Sequence, residues 1–179
     1  MKQYIMHTLL AGSWLIATGC GEKVVETNAG VEPQAGAPSV FVDAPPAGTP
    51  VPIPEARTRL KPGDAVVLSG LVMGVSMPFV PGRGVFVLGD EATIVPCDVK
   101  GDDHCSRPWD ACCDPPEVRA AGTATIQVLD EDGRVIQRGL KGINGLTELS
   151  RVTVAGKVAD IATPEAFIVT ATAIHVGTR

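Results

Sequence analysis

From Arg57 onward the chain is broken by glycine into short runs of β-forming residues, and apolar residues at helical spacing are sparse. Val66 to Val75 is apolar on both faces, with glycines at positions 70 and 74, and is expected to form one long strand. Val85-Phe86-Val87-Leu88 gives a second strand. Ala124-Thr125-Ile126-Gln127-Val128 alternates at period two, and Asp130-Glu131-Asp132-Gly133 supplies turn chemistry before Val135 to Arg138 returns as a strand. Val152 to Val158 places residues 152, 154 and 158 on one face, and Phe167 to Val176 closes the set. Leu140 to Leu149 has room for one short turn, because Gly142 and Gly145 oppose anything longer. This pattern predicts an all-β head.

Two features narrow the architecture. A Pro62-Gly63-Asp64 turn leads into the first strand, and Gly70 inside that strand permits the sharp bend that lets one strand serve two halves of a barrel. The segment Asp64-x-Val-Val-x-Ser-Gly-x-Val is also echoed at Ser150-x-Val-Thr-Val-x-Gly-x-Val. On these motifs residues 60–177 resemble an OB-fold, in which the first and fourth strands match in this way. The resemblance implies a small five-stranded Greek-key barrel with a long cysteine-rich loop between strands 2 and 3.

The N-terminus points to export. Lys2 is a minimal positive start, and Ile5 to Ile16 form an apolar run of roughly a dozen residues, short of the ~20 that span a bilayer. Ile16-Ala17-Thr18-Gly19-Cys20 follows, small residues running into a cysteine. The pattern resembles a bacterial lipoprotein signal, with Ala17 where leucine is usual. It implies cleavage of residues 1–19 and lipidation of Cys20, so that the protein faces the periplasm or exterior from a membrane of the cell envelope. Residues 21–56 then hold Pro33, Pro38, Pro45, Pro46, Pro50, Pro52 and Pro54 and no sustained period. Such a segment is expected to be a disordered tether over 20–56, at about 3.1 Å per residue on the order of 100 Å when extended. The folded head would then begin at residue 57. If part of the tether instead packs as an irregular arm, Val40-Phe41-Val42 is the docking point.

After the cut, the chain has a formal charge of −6 (−5 for the full chain, less Lys2), four Phe, one Trp and no Tyr. Nucleic-acid binding needs a basic groove and stacking aromatics, and neither is visible. Peptides, glycans and other envelope proteins fit the mild acidity better. Were the barrel to bind a ligand on its usual face, Arg83, Phe86, Trp109, Gln127 and Arg138 would be the contacts. Catalysis has no support: the chain after the cut keeps only His104 and His175, with no Gly-x-Ser-x-Gly elbow and no phosphate-cradling glycine loop.

The chemistry is concentrated in the segment 97–116, where Cys97, Cys105, Cys112 and Cys113 fall within 17 residues. From Asp98 to Glu117 there are also six acids against two bases, together with Trp109. The Trp109-Asp110-x-Cys112-Cys113 stretch resembles the loop of an uncharacterised family of bacterial lipoproteins, which implies no activity. Three readings stay open. An even set of cysteines in an exported chain suggests two disulfides, with Cys97 and Cys105 each taking one of the adjacent pair, since a bond between neighbours is strained. No cofactor is then needed. Alternatively Cys97, His104, Cys105, Cys112 and Cys113 offer ligands for zinc or copper, although no Cys-x-x-Cys knuckle is present. The third reading is a labile disulfide acting as a redox switch. A calcium loop through Asp98, Asp102 and Asp103 fails because Lys100 stands where an oxygen ligand belongs. Trp109 is expected to act as the plug that packs over the disulfides.

Overall fold

The computed structural model describes residues 38–100, 105–163 and 165–177. The leader over 1–19, Cys20 and the tether up to residue 37 lie outside the described residues. Five strands form a closed barrel: β1 (Ala65–Leu71), β2 (Val85–Gly89), β3 (Thr123–Gln127), β4 (Arg151–Val158) and β5 (Ile168–Val176). Their order is β1-β2-β3-β5-β4, with β4 back on β1, and every pairing is antiparallel except β3 with β5. This is the small all-β OB-like barrel expected from the sequence. Three helices, α1 (Ile53–Arg59), α2 (Cys97–Lys100) and α3 (Pro116–Ala121), and one 3-10 turn at Ile143–Gly145 complete the described elements. None of the described helices is long and apolar enough to cross a membrane.

Alternation builds the core. Val66 and Leu68 on β1, Phe86 and Leu88 on β2, Ala124 and Ile126 on β3, and Val152, Val154 and Val158 on β4 all point inward. On β5 the inward set is Val169, Ala171 and Ile174, its parity shifted by a bulge opposite Ala155 and Gly156. Each fully buried aliphatic or aromatic side chain contributes about 1.5–3 kcal/mol relative to exposure.

The sequence echo has a geometric basis. β1 and β4 pair with Val66 opposite Gly156, Leu68 opposite Val154 and Gly70 opposite Val152. The two copies of the motif are thus related by a local twofold axis through the Leu68–Val154 pair. Beyond the strand ends the relation continues, since Val158 N donates to Asp64 O at 2.9 Å and Val72 N to Ser150 O at 3.0 Å. The glycines occupy equivalent places: a Cβ on Gly70 would sit 2.2 Å from Gly89 O of β2, and one on Gly156 would sit 2.3 Å from Thr170 O of β5. At both points a neighbouring strand crosses so closely that only glycine fits.

Two strand expectations change. The first strand ends at Leu71 rather than Val75, because Gly74 takes a positive φ of 101° and leaves the extended region. Val135 to Arg138 form no strand of their own. Leu129 and Val135 make an isolated bridge, and Ile136 is bonded to Val128 O and to Gly84 N.

The larger correction concerns residues 38–56, which belong to the head and not to a disordered tether. Val40 and Val42 bond to both sides of Ile174 on β5, at 2.7 and 2.9 Å, which makes Val40-Phe41-Val42 the docking point of an irregular arm. Further along, Val51 N donates to Val67 O on β1 at 2.9 Å. The helix α1 then begins immediately after Pro52 with Pro54 in its first turn, where a missing N–H costs nothing. Ile53 and Ala56, three residues apart, are fully buried against the barrel core. Asp90, itself buried just past β2, accepts the Ile53 N–H at 2.8 Å and so places a carboxylate at the positive end of the helix. Arg57 Nη2 donates to Thr123 O at 2.6 Å, and its guanidinium lies 5.7 Å from the Phe167 ring centre. The prolines thus mark turns and a helix start rather than a solvated spacer.

Candidate metal centre

The connection from β2 to β3 runs from Asp90 to Gly122 and carries all four cysteines of the head. Its base is a small second core in which Met73, Ile94 and Ala111 are fully buried, with Leu71, Trp109, Val118 and Leu149 packed around them. Trp109 therefore acts as a plug. It is half-buried, its Nε1 donates to Ser76 O at 3.1 Å, and its carbonyl accepts from Gly74 N at 2.9 Å. What it covers is this apolar base.

Above the base, two stretches of the loop pair with each other. Cys97 N donates to Asp110 O at 2.8 Å and Asp98 N to Pro108 O at 3.1 Å, which brings the start of α2 alongside the chain that leads to Cys112. Asp114 clamps the assembly: its Oδ2 accepts Val95 N at 3.0 Å and its Oδ1 accepts the Lys100 ammonium. Desolvation pushes the Asp114 carboxyl upward, but the bonds from Lys100 and Val95 outweigh it, and the group lies below the usual carboxylate range. Asp110 is buried, and its Oδ1 accepts the Ala111 N–H at 2.8 Å.

The result is convergence of sulfur. The Sγ atoms of Cys97, Cys105, Cys112 and Cys113 all lie within 4.8 Å of one another. Cys105 and Cys112 are 2.8 Å apart, and Cys97 and Cys112 are 3.6 Å apart. No disulfide joins these four described residues, and the two separations exceed the ~2.05 Å of such a bond. Cys97 is buried, Cys105 half-buried, and Cys112 and Cys113 exposed. Adjacency of Cys112 and Cys113 does not keep either sulfur out of the cluster.

Cys112 is the hub. Hydrogen bonds from Cys105 and then Cys97 favour its thiolate and lower its pKa. The same contact with Cys112 raises the pKa of Cys105, while Cys113 is pushed up to about 11, first by desolvation and next by its bond to Cys112. Lys100 feels the field of Cys113 and Cys97 and lies within electrostatic reach of the cluster. Chemically, four soft sulfur donors at this spacing can hold a metal ion. His104 lies outside the described residues.

The barrel does not gather the residues expected on a ligand face. Phe86 is fully buried with Phe79 against it, ring centres 6.3 Å apart, because its position on β2 alternates inward. Gln127 is buried and donates to Thr170 Oγ1 at 2.9 Å, which ties β3 to β5. Arg83 and Arg138 are exposed, with Arg83 Nη1 3.5 Å from Gln137 Oε1. A shallow groove of about 450 Å³ opens instead on the outer wall between the arm and β1 and β4, beside Thr49, Val67, Ala155 and Lys157. Sequence reasoning missed the Lys100–Asp114 clamp and the Asp90 cap, because both are contacts between residues far apart in the chain whose types alone signal nothing. Comparison of the chain with family models, with curated proteins and with solved structures gives no match.

Proposed function

We propose that this protein is a lipid-anchored, extracytoplasmic module of the cell envelope whose OB-like head carries a tetrathiolate site for a soft or borderline metal ion, zinc or copper(I). The observation that carries this reading is the mutual approach of four sulfurs, from positions 97, 105, 112 and 113, to within 4.8 Å. Tetrahedral zinc with metal–sulfur bonds of about 2.3 Å requires sulfur–sulfur separations of roughly 3.8 Å. Small side-chain rotations bring the cluster to that spacing, since three of the four sulfurs lie at or near the surface. The barrel is the rigid support, and the site is its binding function; no residue is assigned a catalytic role. The partners that fit its surroundings are an envelope protein, a peptide or a glycan.

Export and anchoring rest on the leader and on Cys20, supported by the likeness of the Trp109–Cys113 stretch to a lipoprotein loop. Replacing Cys20 by Ser is expected to move the protein from the membrane fraction to the soluble fraction in its host. Retention in the membrane fraction would remove the anchor from the reading.

For the metal site, the full chain purified in detergent under reducing, oxygen-free conditions is expected to bind one zinc or copper(I) ion per chain, measured by elemental analysis and native mass. Cys97→Ser removes the buried ligand and is expected to weaken binding by at least about 100-fold, since a structural zinc site of four ligands draws on roughly 10–16 kcal/mol in all. Reduced wild-type protein that takes up neither ion would sink the assignment.

A further inference from the structure

We infer that the same four thiols form a two-state centre, holding the metal when reduced and closing into the disulfides Cys105–Cys112 and Cys97–Cys113 when oxidised by a disulfide-exchange partner. The reduced half rests on the metal reading above; the oxidised half stands on the sulfur geometry alone.

Connectivity follows from distance and strain. Cys105 and Cys112 lie 2.8 Å apart, so a bond of about 2.05 Å needs an approach of less than 1 Å. Cys112 also lies 3.6 Å from Cys97, but it can bond only one partner. Once it takes Cys105, Cys97 is left with Cys113, whose sulfur is within 4.8 Å. A bond between Cys112 and Cys113 would close a strained ring across one peptide unit. Exposure orders the events. Cys112 and Cys113 are exposed and can meet an external disulfide, whereas Cys97 is buried and can act only as an internal resolving thiol.

Each closure is two exchange steps. The Cys112 thiolate attacks one sulfur of the external disulfide, forming a mixed disulfide and releasing one thiol. Cys105 then attacks the Cys112 sulfur, forming the protein bond and releasing the second thiol. Cys113 and Cys97 repeat the sequence. Four thiolates are oxidised, two external disulfides are reduced to four thiols with uptake of four protons, and the divalent ion leaves because disulfide sulfur is a poor ligand. The site thereby couples metal retention to the redox poise of the compartment that holds the head.

The test uses the full chain in detergent, reduced and loaded with zinc, titrated with oxidised glutathione. Zinc release is followed with a chromogenic chelator, free thiols by alkylation and mass, and connectivity by peptide mapping. The expected result is release of the ion in step with loss of all four thiols, and a map showing 105–112 and 97–113. Cys105→Ser is expected to redirect resolution to Cys97, 3.6 Å from Cys112, giving a 97–112 bond and leaving Cys113 as the thiol that carries the glutathione adduct. A 97–112 or 112–113 bond in the wild-type map would overturn the inference, as would zinc held after complete oxidation or thiols that resist the titrant. Resistant thiols would leave the metal reading intact. A reduced chain that binds no metal would fail that reading, and the two-state inference with it, even if the map still showed 105–112 and 97–113.

Discussion

A chain that begins at residue 57 is expected to lose its cooperative fold, whereas one that begins at residue 38 keeps it. The shorter version lacks the arm and the N-terminal half of α1, and with them Ile53 and Ala56, both fully buried in the main core. Ile53→Ala alone should cost about 3 kcal/mol, the usual range for emptying a buried aliphatic site. Truncation adds the loss of the Ile53 N–H to Asp90, leaving a buried carboxylate short of a donor. It also uncovers the edges of β1 and β5, which now pair with Val51 and with Val40 and Val42. Against a typical total of about 5–15 kcal/mol, this is enough to unfold the head. Urea denaturation followed by far-UV circular dichroism checks it. Equal midpoints for the two versions would show that the arm and the helix start are dispensable.

Gly156→Ala and Gly70→Ala are each expected to destabilise the head by about 3 kcal/mol, the cost of forcing atoms into a filled site. The new methyl would meet a backbone carbonyl oxygen at 2.3 Å in the first case and 2.2 Å in the second, and a strand carbonyl cannot rotate away without breaking its ladder. At roughly 4 °C per kcal/mol for a domain of this size, melting should fall by about 12 °C. Gly139→Ala is the control. Its nearest neighbour outside the adjoining residues is Gly82 N at 3.7 Å and its φ is not positive, so a change within about 0.5 kcal/mol is expected. A result in which all three variants melt together would mean that the barrel does not close at these two points.

Much of the barrel was legible because period-two burial and tight-turn glycines are local signals. Val66 and Leu68, or Ala124 and Ile126, declare an inward face, and Gly63 and Gly133 stand at positive φ in the turns expected there. The matched motifs at Asp64 and Ser150 went further, because antiparallel neighbours related by a twofold axis must meet the same close approach twice. The proline-rich segment was misread for a local reason too. Seven prolines argue for an extended chain when counted, yet Pro52 and Pro54 occupy the one part of a helix that accepts them, and Ile53, Ala56 and Leu60 already had helical spacing.

The thiol site was legible in membership but not in arrangement. Sequence alone placed four cysteines and Trp109 in one inter-strand loop, and it expected the indole over disulfides where the structure packs it on the apolar base. Only the tertiary structure decided that Cys112 lies against Cys97 and Cys105, that Cys97 is buried while the adjacent pair is exposed, and that Phe86 and Gln127 belong inside the barrel rather than on a ligand face. The physical reason is range. Residue type and periodicity act over a few positions, whereas the pairing of Cys97 with Asp110 and the docking of α1 on Asp90 are contacts across 13 and 37 residues, set when the barrel closes and the loop settles on Met73, Ile94 and Ala111.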